Sequence, residues 1–146
     1  MKSKAITGVL GLALTALLLV MGSCGPAKEA EPYVIGSIFS ITGPASYLGE
    51  PERNTMEMLA EQLNAQGGLK GHPVKLVIYD DEGDVTKARL HAEKLMQKDK
   101  VLAIIGPSLT HTSMTVLDVT QKAKLPLISC AAGIGITAPA AERQWV

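Results

Sequence analysis

Short apolar runs recur along the chain at intervals that leave room for a helix between them. Each run is rich in β-branched or other apolar residues, and turn-forming residues such as Pro, Gly or Asp lie close to its ends. Runs of this length and composition predict buried β-strands. The predicted strands are Tyr33 to Ser40, Val74 to Asp80, Val101 to Ile105 and Leu127 to Cys130.

Three segments between these runs carry the signals of helices. In the first two, apolar residues lie three or four positions apart, which is the spacing of one helix face. The first predicted helix runs from about Pro51 to Gln66, the second starts at Asp84 as its N-cap, and the third runs from about Thr110 to Ala123. The apolar faces are Met56, Leu59, Ala60 and Leu63 in the first helix, and Val85, Ala88, Ala92 and Leu95 in the second.

The alternation of strand and helix indicates the fold class. Fully apolar strands joined through helices predict an α/β fold, an open doubly wound parallel sheet with helices on both faces. Trp145 and Val146 resemble the opening of a further strand, so we expect the sheet to be incomplete in this chain.

The first 32 residues do not follow this pattern. Lys2 and Lys4 precede an uncharged apolar run from Ala5 to Val20, which closes on small residues directly before Cys24. This is the order of a secretory signal, and the run is shorter than the roughly 20 residues that cross a bilayer. The predicted division is a signal peptide over 1–23, a flexible tether over 24–32 and one folded unit over 33–146.

The segment LLLVMGSC refines this prediction, because it resembles the bacterial lipobox. The resemblance implies that Cys24 is lipidated and becomes the new N-terminus. We therefore expect a protein that is exported to the periplasm or the cell surface and anchored to the membrane through Cys24. The alternative is an uncleaved signal anchor.

Charge and composition exclude one class of partner. The chain has 14 basic and 14 acidic side chains, and Lys2 and Lys4 lie in the predicted signal, so the remainder is slightly acidic. Nucleic-acid binding needs a clustered basic face, and aromatic residues that could stack on bases make up only 3% of the chain. We expect no nucleic-acid partner.

Ligands of open α/β sheets bind beyond the carboxyl ends of the strands, so the loops there hold the candidate site. After Ile105, Ser108 and Thr110 offer hydroxyls beside free amides at a helix N-terminus, which suits a carboxylate. The alternative is that either residue caps the helix. After Cys130, the small residues Ala131, Ala132 and Gly133 would let a ligand approach the backbone.

Catalysis and metal binding have weaker signals. The acidic cluster Asp80, Asp81, Glu82 and Asp84 favours a solvated turn with a helix cap over a Mg²⁺ site. Cys130 and His111 could form a nucleophilic dyad, as in a Cys/His hydrolase, but a small buried thiol is the preferred interpretation. We expect no catalytic residue, no metal and no cofactor.

Four linked segments carry a resemblance to a known family. They are ITGPASYLGEPERNT, LNAQGGLKGHPVKLVIYDDEGD, KDKVLAIIGPSLTHTS and KLPLISCAAG. In this order and spacing they resemble type I periplasmic solute-binding proteins of the branched-chain amino acid group. The resemblance implies the first part of a two-lobed binding protein that serves an ABC importer, with a permease as its partner and an amino-acid-like ligand.

The resemblance also implies roles for particular residues. Thr110 matches the hydroxyl that receives the ligand carboxylate, and the Ala131 carbonyl matches an acceptor for the ligand ammonium. Gly133 stands where many members have Thr or Ser, and Leu48, beside Tyr47, stands where an aromatic residue is common. The alternative function is a sensor of amides, urea or aromatic acids on the same fold. The ligand-binding residues predicted are Tyr47, Leu48, Ser108, Thr110, Ala131, Ala132 and Gly133.

Overall fold

The computed structural model of the chain describes residues 30–146. The predicted signal peptide and Cys24 lie outside the described residues, and only residues 30–32 of the predicted tether are included. In the described part, no helix has the length and apolar character needed to span a membrane. The strands are β1 (Tyr33–Phe39), β2 (Val74–Asp80), β3 (Ile104–Ile105) and β4 (Leu127–Ile128). The helices are α1 (Ser46–Ala65), α2 (Val85–Gln97) and α3 (Thr110–Ala123), followed by 3₁₀ turns at Ile134–Ile136 and Ala140–Glu142.

The four strands form one parallel sheet in the order β2-β1-β3-β4. β1 is central and pairs with β2 along its whole length, from Tyr33 opposite Val74 to Phe39 opposite Asp80. The chain then crosses over β1 to place β3 on its other side. This reversal of direction makes the β1–β3 boundary the switch point of the sheet, where loops diverge and leave a crevice.

Side chains alternate between the two faces of the sheet, and each face has its own helices. On one face, Ile38 of β1 and Ile104 of β3 are fully buried in a core with Leu95 of α2 and Leu117 of α3. On the other face, Ile35 lies near Leu59 and Leu63 of α1, around an apolar cavity of about 300 Å³. The predicted α/β sheet with helices on both faces is confirmed.

The start of helix α1 and the buried face of helix α2 differ from the prediction. Helix α1 begins at Ser46 and so contains Pro51, because the Ala45 carbonyl already accepts the amides of Leu48 and Gly49. The helix was predicted to start at Pro51, because proline is common in the first helical turn, but it starts five residues earlier. Val85 is 42% exposed and does not share the buried face of Ala88, Ala92 and Leu95.

Strands β3 and β4 are shorter than predicted. Regular pairing in β3 covers only Ile104–Ile105, although Leu102 N–H still donates to the Val34 carbonyl at 2.9 Å. Trp145 and Val146 form no strand in the described chain. The Trp145 carbonyl accepts a hydrogen bond from Leu127 N–H, at 2.8 Å, along the outer edge of β4.

Asn64, near the end of α1, links this helix to edge strand β2. Its amide oxygen accepts from Val74 N–H at 2.7 Å, and its amide nitrogen donates to the Val74 carbonyl at 2.8 Å. We expect Asn64→Ala to lower the free energy of unfolding by about 1 kcal/mol, because both bonds are lost at an exposed position. Urea unfolding followed by circular dichroism measures this. Asn54→Ala, whose amide contacts only the neighbouring Arg53, is the control and should change stability much less.

Candidate functional site

Because the strands are parallel, the loops that follow them meet at one edge of the sheet. The β1–α1 loop, the β2–α2 loop, the β3–α3 loop and the segment after β4 all start there. Hydrogen bonds join the first three of these loops, because Ser40 in the first bonds to Asp81 in the second and to Ser108 in the third. The site was predicted to lie beyond the carboxyl ends of the strands. At that edge of the sheet the loops are joined by a network of polar side chains.

Thr110 is the first residue of α3, and its residue surface is exposed. The N-cap is Leu109, which offers no side-chain bond, so the alternative that Ser108 or Thr110 caps the helix is wrong. The first amides of a helix have no acceptor within it, and the helix dipole places partial positive charge there. We define the carboxylate seat as Thr110 together with these first-turn amides of α3.

The segment after β4 lies against this seat. A Cβ atom added to Gly133 would lie 2.2 Å from Thr110 Cγ2 and 3.0 Å from Thr110 Oγ1. The Thr110 side chain thus occupies the space that a side chain at position 133 would need. Ser129 Oγ fixes the segment, because it is 2.8 Å from Ser113 Oγ of α3 and accepts from Ala131 N–H at 3.1 Å.

Ala131, Ala132 and Gly133 line an open cleft of about 560 Å³ together with Ile128 and Ile134. Both isoleucines are strongly exposed, at 60% and 82%. The cleft thus offers backbone polar groups beside apolar walls, the combination expected for a small amphipathic ligand. Three of the predicted residues line this cleft, Ala131, Ala132 and Gly133, and Thr110 adjoins it through its contact with Gly133.

The other predicted residues occupy different places. Ser108 is buried, and its hydroxyl already accepts from Ser40 N–H at 3.1 Å and donates to Glu52. Its single hydroxyl proton is therefore directed to Glu52 and is not available to a ligand carboxylate. Tyr47 and Leu48 belong to the first turn of α1, where Tyr47 is 72% exposed, and neither lines the cleft of Ala131 to Gly133.

The sequence predicted that the acidic turn after β2 is solvated, but one of its carboxylates is buried. Asp81 is fully buried, and its Oδ1 accepts from Ser40 Oγ at 2.7 Å and from Gly83 N–H at 2.9 Å. Asp80 accepts from Thr42 Oγ1 at 2.6 Å and from the Ile41 amide at 2.9 Å. Asp84 accepts from Lys87 N–H, which confirms its role as N-cap.

The carboxyl groups of Glu52 and Asp80, at this edge of the sheet, have shifted pKa values. Burial raises the pKa of Glu52, the nearby Asp81 charge adds to the increase, and the Ser108 hydrogen bond opposes it. Partial burial alone would raise the pKa of Asp80, but the bonds from Thr42, Glu82 and Ile41 outweigh it and lower the pKa. Glu52 was missed by the sequence analysis, since it lies 56 residues from Ser108 in the chain.

The enzymatic interpretation gains no support from the geometry. Cys130 is exposed, so the expectation of a buried thiol is wrong. Its pKa is nevertheless raised, by partial desolvation and then by the Glu52 charge, which disfavours the thiolate that a nucleophile needs. His111 Nε2 is 3.0 Å from the Gly83 carbonyl, to which it can donate. Within residues 30–146, no group of three or more His, Cys, Asp and Glu side chains is arranged to hold a metal ion.

Known proteins share this sequence and fold. Residues 32–145 match the family described as periplasmic binding protein. Leu/Ile/Val-binding protein homolog 7 of Brucella melitensis is 28% identical over 118 residues, which are 81% of this chain and 28% of that relative.

Solved structures agree with this match. LivJ, the branched-chain amino acid transporter substrate binding protein of Streptococcus pneumoniae in complex with isoleucine, has a TM-score of 0.71 and 27% identity, covering 73% of this chain and 31% of that one. An extracellular ligand-binding receptor from Rhodopseudomonas palustris HaA2 has a TM-score of 0.69 and 36% identity, covering 80% of this chain and 31% of that one. This chain thus spans less than a third of each of these proteins.

The family match extends over most of the chain. The chain also shares its fold with the solved structures. The resemblance inferred from the four linked segments is therefore confirmed. The chain belongs to the periplasmic binding protein family, among its type I members.

Proposed function

We propose that this chain is part of the extracytoplasmic substrate-binding component of an ABC importer for branched-chain or related amino acids. The observation that carries this proposal is the contact between the seat and the segment after β4. The Thr110 side chain lies against Gly133, two residues after Ala131 in the chain. In this proposal, the donors for a carboxylate would lie near the Ala131 carbonyl, which would accept from an ammonium.

The two groups fit the two ends of an α-amino acid. The first-turn amides of α3 and the Thr110 hydroxyl would bind the carboxylate, favoured by the helix dipole. The Ala131 carbonyl would accept from the ammonium, and Ile128 and Ile134 would contact an apolar side chain. In this proposal the chain binds and releases its ligand without chemical change, and a permease receives it.

Gly133 affects which ligands fit. It brings no hydroxyl to the cleft, and the Thr110 side chain fills the adjacent space. Recognition at this point therefore depends on Thr110 and the backbone. The ligand panel for any test should include amides and aromatic acids beside leucine, isoleucine and valine.

Lipidation at Cys24 would anchor the exported protein to the membrane, in the periplasm or at the cell surface. The support for this is the charged start, the apolar run and the LLLVMGSC segment. The short stretch up to Pro32 would then act as the tether between the lipid and β1.

Thr110→Val is expected to weaken amino-acid binding about tenfold or more, because a hydrogen bond to a charged group contributes roughly 1.5 to 3 kcal/mol. Isothermal titration calorimetry with L-leucine, L-isoleucine and L-valine, on the protein carrying the segments that complete both lobes, measures this. Thr115→Val on the same helix is the matched control, since the Thr115 hydroxyl bonds the His111 carbonyl. Unchanged affinity in Thr110→Val would remove this residue from the site.

A further inference from the structure

Glu52 of α1 joins two loops that the chain keeps far apart. Its Oε2 accepts a hydrogen bond from Ser108 Oγ, in the β3–α3 loop. The same Ser108 oxygen accepts from Ser40 N–H at 3.1 Å, in the β1–α1 loop. Because the hydroxyl has one proton, donation to Glu52 leaves its lone pairs free to accept from Ser40. The orientation of Ser108 is thus set from both sides.

This link continues around the edge of the sheet. Ser40 Oγ donates to Asp81 Oδ1, which also accepts from Gly83 N–H. The Gly83 carbonyl in turn lies 3.0 Å from His111 Nε2. The polar chain therefore reaches α3 on both sides of Thr110, two residues before it at Ser108 and one residue after it at His111.

The hydrogen bond between Glu52 and Ser108 is partly sheltered from water. The carboxyl group borders a mostly apolar cavity of about 280 Å³, lined also by Phe39, Met56 and Ile105. Ser108 is only 5% exposed. Glu52 itself is partly exposed, so this hydrogen bond is shielded from water at its Ser108 end and partly open to water at its Glu52 end.

The start of α3 needs such support. Its N-cap, Leu109, has no side chain that could accept from the first-turn amides. The amides are consequently free for a ligand, but the cap does not hold the turn in place. The bond between Glu52 and Ser108 fixes the residue immediately before this cap.

We propose that Glu52 is a positioning residue for the carboxylate seat, which it holds in place through Ser108. The inference rests on the proposed function, because a seat needs a ligand. Glu52 itself lies outside the seat and would act by keeping the first turn of α3 in its binding geometry before the ligand arrives. Removing it should loosen this loop and lower affinity, while the rest of the sheet keeps its protection.

Amide hydrogen exchange of the full chain, followed by NMR, tests this without any ligand. In Glu52→Ala, two amides should exchange about tenfold faster: that of Ser40, which donates to Ser108, and that of Ser113, which donates to the Leu109 carbonyl and closes the first turn of α3. Amides in β2 should not change. Glu52→Gln retains an acceptor oxygen and should stay within about threefold of wild type. Glu57→Ala, exposed on the same helix, is the control.

L-Leucine titration of the same variants, in the protein with both lobes complete, is the second measurement. We expect Glu52→Ala to weaken binding at least about fivefold and Glu52→Gln to restore most of it. Unchanged exchange near Ser40, equal acceleration throughout the sheet, or unchanged leucine affinity in Glu52→Ala would overturn the proposal. If wild type binds no member of the ligand panel while the local exchange pattern appears, the coupling of Glu52 to the loop stands and the proposed function fails.

Discussion

Replacing Gly49 by alanine is expected to lower the free energy of unfolding by about 1 to 3 kcal/mol, the usual cost of forcing an atom into a closely packed place. Gly49 lies in the first turn of α1 and is buried. A Cβ atom there would lie 2.2 Å from the Ser40 carbonyl oxygen and 2.3 Å from its carbon. Both are backbone atoms, so no side-chain rotation can relieve the overlap.

The sign of the effect makes this prediction specific. Glycine to alanine inside a helix ordinarily stabilises by roughly 1 kcal/mol, because alanine loses less backbone entropy on folding. Chemical denaturation monitored by circular dichroism would show the opposite here. Gly135→Ala is the control, since its nearest atom beyond its neighbours is Met114 Sδ at an ordinary 3.8 Å. A Gly49→Ala variant more stable than wild type would mean that α1 does not approach β1 this closely.

Cys24→Ala is expected to abolish incorporation of fatty acid altogether, because alanine has no sulfur to accept the acyl glycerol. In cells grown with a labelled fatty acid, the wild-type chain should carry label and fractionate with membranes. Each buried methylene of an acyl chain contributes about 0.8 kcal/mol to membrane binding, so two chains give a stable anchor. The variant should be unlabelled.

The second cysteine is a built-in control for this experiment. The chain has only Cys24 and Cys130, and Cys130 lies two residues after β4, outside the lipobox-like segment. Cys130→Ala should therefore retain the label in full. Equal labelling of wild type and Cys24→Ala would exclude Cys24 as the lipid site.

Much of the fold followed from local pattern. The positions of β1, β2, α2 and α3 were predicted to within a few residues, because apolar periodicity reports which face of an element is buried. The N-cap role of Asp84 was also predicted, since a cap involves residues only three positions apart. Periodicity could not show that α1 begins before Pro51 or that regular pairing of β3 covers only two residues.

The candidate site was also predicted only in part from the sequence. The sequence placed Thr110 and Ala131 to Gly133 after strands of a parallel sheet, and such loops must share one edge. That Thr110 touches Gly133 depends on the lateral order of β3 and β4, which no local pattern contains. Ser108 illustrates the limit, because its hydroxyl suggested a ligand contact until its buried partners were known.

By itself, the sequence determined the alternation of strands and helices, the family, and the loops that hold the candidate site. These follow from periodicity and linked local motifs, whose information lies within a few residues. Only the tertiary structure decided the strand order β2-β1-β3-β4, the burial of Asp81 and the bond between Glu52 and Ser108. The physical reason is that such contacts join residues 41 to 56 positions apart, whose meeting depends on how the whole sheet assembles.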